Sequence, residues 1–144
     1  MSRPRIWRKV KNSSLNENSD VVFFDGVCNL CNAFVDFVIR RNSVLRFSSL
    51  QGKTASQSLP AALVRDLPSV VLVSHGIVYI ESTAALKVLS QLGGLWPLMA
   101  VFYLVPKMLR DSIYRWIGRH RYTWFGKRET CRLPSLEERS RFLD

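Results

Sequence analysis

Short apolar runs alternate with helical stripes along the first hundred residues of this chain. Val21 to Phe24 is continuously apolar and β-rich, the pattern of a strand buried on both faces. Asp25-Gly26 breaks it. Apolar residues then recur at Val27, Cys31, Phe34, Val35 and Val38, one face of a helix that ends near Arg40-Arg41-Asn42, where cations favour the helix C-terminus. Val44 to Leu50 predicts a second strand and Thr54 to Val64 a helical stretch around Pro60. Val70 to Val73 and Ile77 to Ile80 flank Ser74-His75-Gly76, a hairpin signature. Ser82 is placed to N-cap a helix over Thr83 to Leu92, which Gly93-Gly94 ends. The order is β-α-β-α-β-β-α, an α/β fold.

After Gly94 the composition changes. Leu95 to Tyr103 and Pro106 to Arg119 predict two helices rich in aromatic and basic residues, a helical extension of the same domain. The expected organisation is a basic arm over residues 1–19, a single domain over 20–134 with its extension from about 95, and a polar tail over 135–144. The 144 residues, nearly half of them apolar, suit one core. The net charge of +10 lies mostly outside the middle of the chain: residues 107–132 carry eight cations against two acids, and 1–20 carry five against two. No apolar leader opens the sequence, and the apolar stretch Leu92 to Val105 is broken by Gly93, Gly94 and Pro97. A cytoplasmic protein without a transmembrane segment, monomeric or weakly associated, is the expectation.

The chemistry concentrates in Cys28-Asn29-Leu30-Cys31, where the first strand hands over to the first helix. Free N–H groups and the positive end of the dipole stabilise a thiolate at a helix N-terminus and lower its pKa. Cysteines at i and i+3 are close enough to close a small disulfide ring. The expected division of labour makes Cys28, exposed at the helix tip, the nucleophile on a substrate disulfide. Cys31, pointing to the core, is the resolving thiol. Asp25 has two readings: a proton acceptor for the less exposed thiol or a brake on thiolate formation at Cys28, and a helix N-cap or turn residue. Three cysteines do not make a disulfide framework in a reducing compartment. Zinc would need Cys131, His75 or His120 to complete the pair; no second C-x-x-C and no H-x₃₋₅-H occurs, so no metal is expected. An aspartate-nucleophile phosphatase is excluded because Phe23 stands where its nucleophile would be.

Asp25-x-x-Cys28-x-x-Cys31 after an apolar strand resembles the DCC family of predicted thiol-disulfide oxidoreductases, named for that Asp-Cys-Cys motif. Further blocks are similar: Phe47 to Gln51, Glu81 to Leu86, Leu92 to Pro97, Arg110-Asp111-x-x-Tyr114, Arg121-Tyr122-x-Trp124-Phe125-Gly126 and Cys131-x-x-Pro134. The resemblance implies a thioredoxin-like fold, helices on both faces of the sheet, with the cysteine pair as redox centre. In such a fold a proline before the third strand faces the pair, the place Pro68 holds, as a cis or a trans residue. Pro68, Asn29 and Leu30 are then the expected substrate contacts. No organic cofactor is expected, since the dithiol is the redox group. The expected partners are a disulfide-containing protein or small molecule and, as electron donor, a dithiol protein or small thiol.

A different class competes. Tyr114, Trp116, Ile117, Tyr122, Trp124 and Phe125 interleave with Arg115, Arg119, Arg121, Lys127 and Arg128. This pattern fits a non-catalytic module holding single-stranded nucleic acid, and Trp96 to Tyr103 with its flanking cations fits a membrane surface, with core packing against the first unit the expectation there. The interleaved pattern equally fits a helix with one buried aromatic face and arginine stems over it, the expected arrangement. Cys131 is read as a structural thiol, with a third redox partner as the alternative.

Overall fold

The computed structural model describes residues 20–41, 44–59, 61–66, 70–92, 94, 96–127 and 135–143. The N-terminal arm, Pro60, Pro68 and Cys131 lie outside them. The elements are β1 (Val21–Phe24), α1 (Asn29–Ile39), β2 (Arg46–Ser49), α2 (Lys53–Ser58), α3 (Ala61–Asp66), β3 (Val70–Ser74), β4 (Ile77–Ile80), α4 (Glu81–Ser90) and α5 (Lys107–Phe125). A 3₁₀ helix, Trp96–Leu104, joins α4 to α5.

The strands form one mixed sheet in the order β2-β1-β3-β4. β1 runs parallel to β2 and antiparallel to β3, and β3 pairs antiparallel with β4. This is the thioredoxin-like arrangement, with helices on both faces. Because β1 is central, each of its four residues is buried, and alternation sends them to two cores. Val22 and Phe24 join α1 and α4 through Val35, Val38, Ala84 and Val88. Val21 and Phe23 join α2 through Ala55. The β3–β4 turn uses His75 and Gly76, both at positive φ (49° and 77°). That is the primed geometry whose twist matches the strands it connects.

The helical stretch read around Pro60, with a turn or a restart of the helix there, is two helices, α2 before that residue and α3 after it. Other boundaries differ from the sequence reading. Ser82 is not an N-cap: α4 begins two residues earlier than expected, at Glu81 with Ile80 at the cap, and the Ser82 hydroxyl donates to Asp111 on α5. Where a helix was expected over 95–103, Trp96–Leu104 is 3₁₀. α5 does not stop at Arg119 but runs on to Phe125, where Gly126 takes φ 82°. One more turn of helix carries Arg121 and Tyr122 to the site described below.

The residues after 134 clasp the sheet edge. Phe142 bridges Phe47 of β2, and the Leu143 N–H donates to the Phe47 carbonyl at 3.0 Å. The Phe142 ring lies edge-on to Phe24 at 6.1 Å and tilted to Phe47 at 5.8 Å. Arg141 donates to the Ile39 and Leu45 carbonyls. An edge strand with open N–H and C=O groups is thereby covered. Phe142→Ala is expected to cost about 1–3 kcal/mol, at the low end for a Phe truncation because the ring is only half-buried. A urea midpoint unchanged by the substitution would contradict the clasp.

Candidate active site

Cys28 is the N-cap of α1 (φ −85°, ψ 122°), and its Sγ accepts the Cys31 N–H at 3.5 Å. The dihedrals follow from the turn before it: the Cys28 N–H donates to the Asp25 carbonyl at 3.2 Å, while the Cys28 carbonyl takes the first helical N–H, from Asn32, at 3.0 Å. Asn32 locks the turn, donating from Nδ2 to the Gly26 and Cys28 carbonyls at 2.9 and 2.8 Å. The sulfur thus sits where a helix has N–H groups to spare.

That placement sets the thiol chemistry. A hydrogen bond from the Cys31 thiol is the largest influence on Cys28; burial opposes it, and the Cys31 and Leu30 N–H groups and the Arg121 charge add to it. Together they bring the Cys28 thiol down to about 6. Cys31 moves the other way: its bond to Cys28 and its burial push it far up. The pair is electrostatically unequal, the more acidic thiol upstream and the reluctant one downstream.

Cys28 is not exposed at the helix tip as the sequence reading expected; it has no exposed surface, and Cys31 has only 2%. The reason is the end of α5. Phe125, Gly126 and Lys127 run alongside the CxxC turn: Cys28 pairs with Lys127 in an antiparallel bridge, the Asn29 N–H donates to the Gly126 carbonyl, and Asn29 Nδ2 donates to the Phe125 carbonyl at 2.7 Å. A Cβ on Gly126 would meet Asn29 Nδ2 at 3.0 Å, so the close approach and the positive φ both select glycine.

Asp25 is not the N-cap of α1. Its carboxylate makes a turn bond to the Val27 N–H (3.2 Å) and accepts from Gln51 Nε2 (2.7 Å) on one oxygen; the other oxygen accepts from Arg121 (3.0 Å) and the Tyr122 hydroxyl. Burial alone would raise its pKa. The bonds from Tyr122, Gln51, Arg121 and the Val27 N–H outweigh burial and hold the carboxyl below the usual range. Arg121 is itself buried and lies over the Tyr122 ring at 4.7 Å. Asp25 therefore rests as an ion-paired anion whose charge Arg121 balances beside the two thiols.

Of the other expected residues, Asn29 is tied to the Phe125–Gly126 backbone, and Leu30 packs part-buried against the core below the pair. His75 lies in the β3–β4 turn, and His120 stacks on Trp124 at 5.1 Å. Among the described residues no three His, Cys, Asp or Glu side chains are grouped to hold a metal. Gln51, Arg121 and Tyr122 were not placed beside the thiols by the sequence reading, which set Arg121 and Tyr122 in the aromatic and basic pattern of the C-terminal third, although each stands inside a stretch that resembles the family. Continuing the α5 stripe past Arg119 would have placed Arg121 on the face of Asp111, Tyr114 and Gly118.

The sheet is thioredoxin-like and carries a CxxC at the N-terminus of its first helix. The profile of the DCC1-like thiol-disulfide oxidoreductase family matches residues 22–127, and the chain belongs to that family. It is 46% identical over 127 residues to YuxK, an uncharacterised protein of Bacillus subtilis strain 168, covering 85% of this chain and 93% of the relative. It is 36% identical over 133 residues to a chloroplastic DCC family protein of Arabidopsis thaliana, covering 88% of this chain and 77% of the relative. No solved structure matches the chain.

Two outcomes follow. Arg121→Leu leaves a buried carboxylate without its counter-charge and is expected to lower stability by about 3–5 kcal/mol at neutral pH. Because the native Asp25 carboxyl lies low, its stabilisation is present above the unfolded pKa of about 4 and is lost as pH falls through the folded value. The gap between wild type and variant should therefore narrow from pH 7 to pH 3 in urea unfolding; a constant gap would contradict the assignment. Asn29→Ala removes the bond to the Phe125 carbonyl and should raise the rate of Cys28 alkylation at pH 7 several-fold, measured by mass spectrometry. An unchanged rate would show that the Phe125–Lys127 segment does not limit access.

Proposed function

We propose that the protein is a thiol-disulfide oxidoreductase that transfers two electrons from the Cys28–Cys31 dithiol to a substrate disulfide. One observation carries the reading. The Cys28 sulfur is the N-cap of α1, accepts from the Cys31 thiol and N–H and lies near the Arg121 charge, so its thiolate is favoured while that of Cys31 is not.

The Cys28 thiolate attacks one sulfur of the substrate disulfide. A Cys28–substrate bond forms and the other substrate sulfur leaves as a thiolate. The negative charge on Cys28 is now gone. That charge, through its hydrogen bond and its field, is what kept Cys31 protonated. Cys31 therefore becomes easier to deprotonate at the step that needs it, its proton going to the departing thiolate or to solvent. It attacks Cys28 Sγ, the second substrate sulfur is released, and the pair is left as a disulfide. An external dithiol protein or small thiol returns the two electrons, and no organic cofactor is required.

In this reading Asp25 is a positioning residue. It already accepts four hydrogen bonds and holds its charge tightly, a poor state for a proton acceptor. It fixes Arg121 and the turn that carries Cys28. The substrate enters at the part-exposed Asn29–Leu30 edge, with Pro68 as its expected neighbour, once the Phe125–Lys127 segment shifts. The compartment follows the electron donor; a reducing cytoplasm fits this chain, although the Arabidopsis relative is named as chloroplastic.

Oxidised glutathione separates the two thiols. Cys31→Ser is expected to accumulate a stable glutathione adduct on Cys28, wild type to pass on to the intramolecular disulfide, and Cys28→Ser to do neither. Equal trapping on both single variants, or none on Cys31→Ser, would overturn the mechanism.

A further inference from the structure

α5 is built inside-out. The face toward the domain carries Asp111, Gly118, Arg121 and Tyr122, and polar bonds fasten it: Asp111 to Ser82 of α4 and to Lys107, and Arg121 and Tyr122 to Asp25. The face toward solvent carries Leu109, Ile113, Trp116, Ile117 and Trp124, 53, 51, 50, 36 and 50% exposed. Their spacing follows the helical period, so they form one stripe. Trp116 and Trp124 meet at 5.1 Å, and His120 stacks on Trp124. The uncharged 3₁₀ helix before α5 adds Leu98, Val101 and Leu104, exposed by 68, 59 and 84%. The sequence reading expected the aromatic face to be buried; the structure buries the arginine and leaves the tryptophans outside. Exposed apolar residues in such a continuous stripe mark a contact surface.

Charge selects the occupant. Arg115, Arg119 and Lys127 are exposed on the same helix and its end. The only acid between residues 107 and 127 is Asp111, which is buried in its bonds to Ser82 and Lys107. A second copy docking about a two-fold axis would set these cations against their own kind. Single-stranded nucleic acid would use the rings but has nothing for the aliphatic residues Leu98, Val101, Leu104 and Ile113. An anionic bilayer supplies both halves: acyl chains for the aliphatic and indole groups, and negative headgroups for the arginines. No described helix is long and apolar enough to cross a membrane, so the geometry is that of a helix lying in the interface.

We propose that the outward stripe of α5, with the 3₁₀ helix before it, docks the protein reversibly on an anionic lipid surface. This rests on the exposed face alone and is independent of the redox reading. The test uses the full chain with vesicles of phosphatidylglycerol and phosphatidylcholine in equal parts, and with phosphatidylcholine alone, read by co-sedimentation and tryptophan emission. The expected result is partitioning onto the anionic vesicles with a blue shift, falling as salt rises. Arg115→Glu with Arg119→Glu should weaken it by about tenfold or more, since each cation near such a surface contributes about 1 kcal/mol, a factor of about five. Trp116→Ser with Trp124→Ser should weaken it and abolish most of the shift. Arg65→Glu, on α3 across the sheet, should change it less than twofold. Arg115 also acts by its charge on the buried Asp111, so Arg119→Glu alone, at an exposed position, is the variant that keeps the test decisive if either double variant unfolds; it should weaken anionic binding several-fold. Absence of partitioning by folded protein at low salt would overturn the proposal. So would equal binding to both vesicle types, a stable dimer that buries the stripe in ultracentrifugation, or oligonucleotide binding in place of vesicle binding.

Discussion

A carboxylate with no exposed surface holds this molecule in register. Asp25 accepts from Val27, Gln51, Arg121 and Tyr122, which belong to the CxxC turn, the turn after β2 and the last turns of α5. A buried charge is costly unless paired and fully hydrogen-bonded, so the folded chain must bring all three segments together at one point. That point lies at the end of the central strand, just before Cys28. The bond that fastens the C-terminal helix therefore also fixes the turn from which the reactive sulfur projects.

Two features of the structure depend on this anchor. With Asp111, Arg121 and Tyr122 committed inward to Ser82 and Asp25, α5 shows its apolar stripe to the outside, together with Arg115 and Arg119. The helix then ends in the Phe125–Lys127 segment, which pairs with Cys28 and Asn29. The Cys28 thiol is consequently both lowered in pKa and covered. The Cys31 thiol, the α1 N–H groups and the Arg121 charge favour its thiolate, while the chain that brings Arg121 into place lies alongside it.

The alternating cores and the CxxC placement were legible in sequence because each rests on local pattern. Val21 to Phe24 has no polar residue to give it a wet face, and the stripe through Cys31, Val35 and Val38 fixes which side of α1 is buried. What was not legible rests on contacts far apart in the chain. Asp25 and Arg121 are 96 residues apart, and nothing near either one announces that a charge will be buried there. Asp25 kept the turn half of its reading, through the Val27 N–H, but not the N-cap half, because α1 starts three residues later with Cys28 as its cap. The exposed tip expected for Cys28 failed because its cover comes from residue 126, not from its own helix. Periodicity says which residues share a helix face. It does not say which face turns inward, and in α5 two buried carboxylates, Asp111 and Asp25, decide that.

The central claim is that the hydrogen bond from the Cys31 thiol, with the helix cap and the Asp25-anchored Arg121 adding to it, makes Cys28 a thiolate at neutral pH. Its most direct test is the pH dependence of alkylation, followed at Cys28 by mass spectrometry in the reduced, folded protein. The account predicts a Cys28 rate that is near its plateau at pH 7 and falls in acid with a midpoint around 6, while Cys31 stays unreactive across the range. A Cys28 midpoint at or above the ~8.5 of an ordinary cysteine would contradict it.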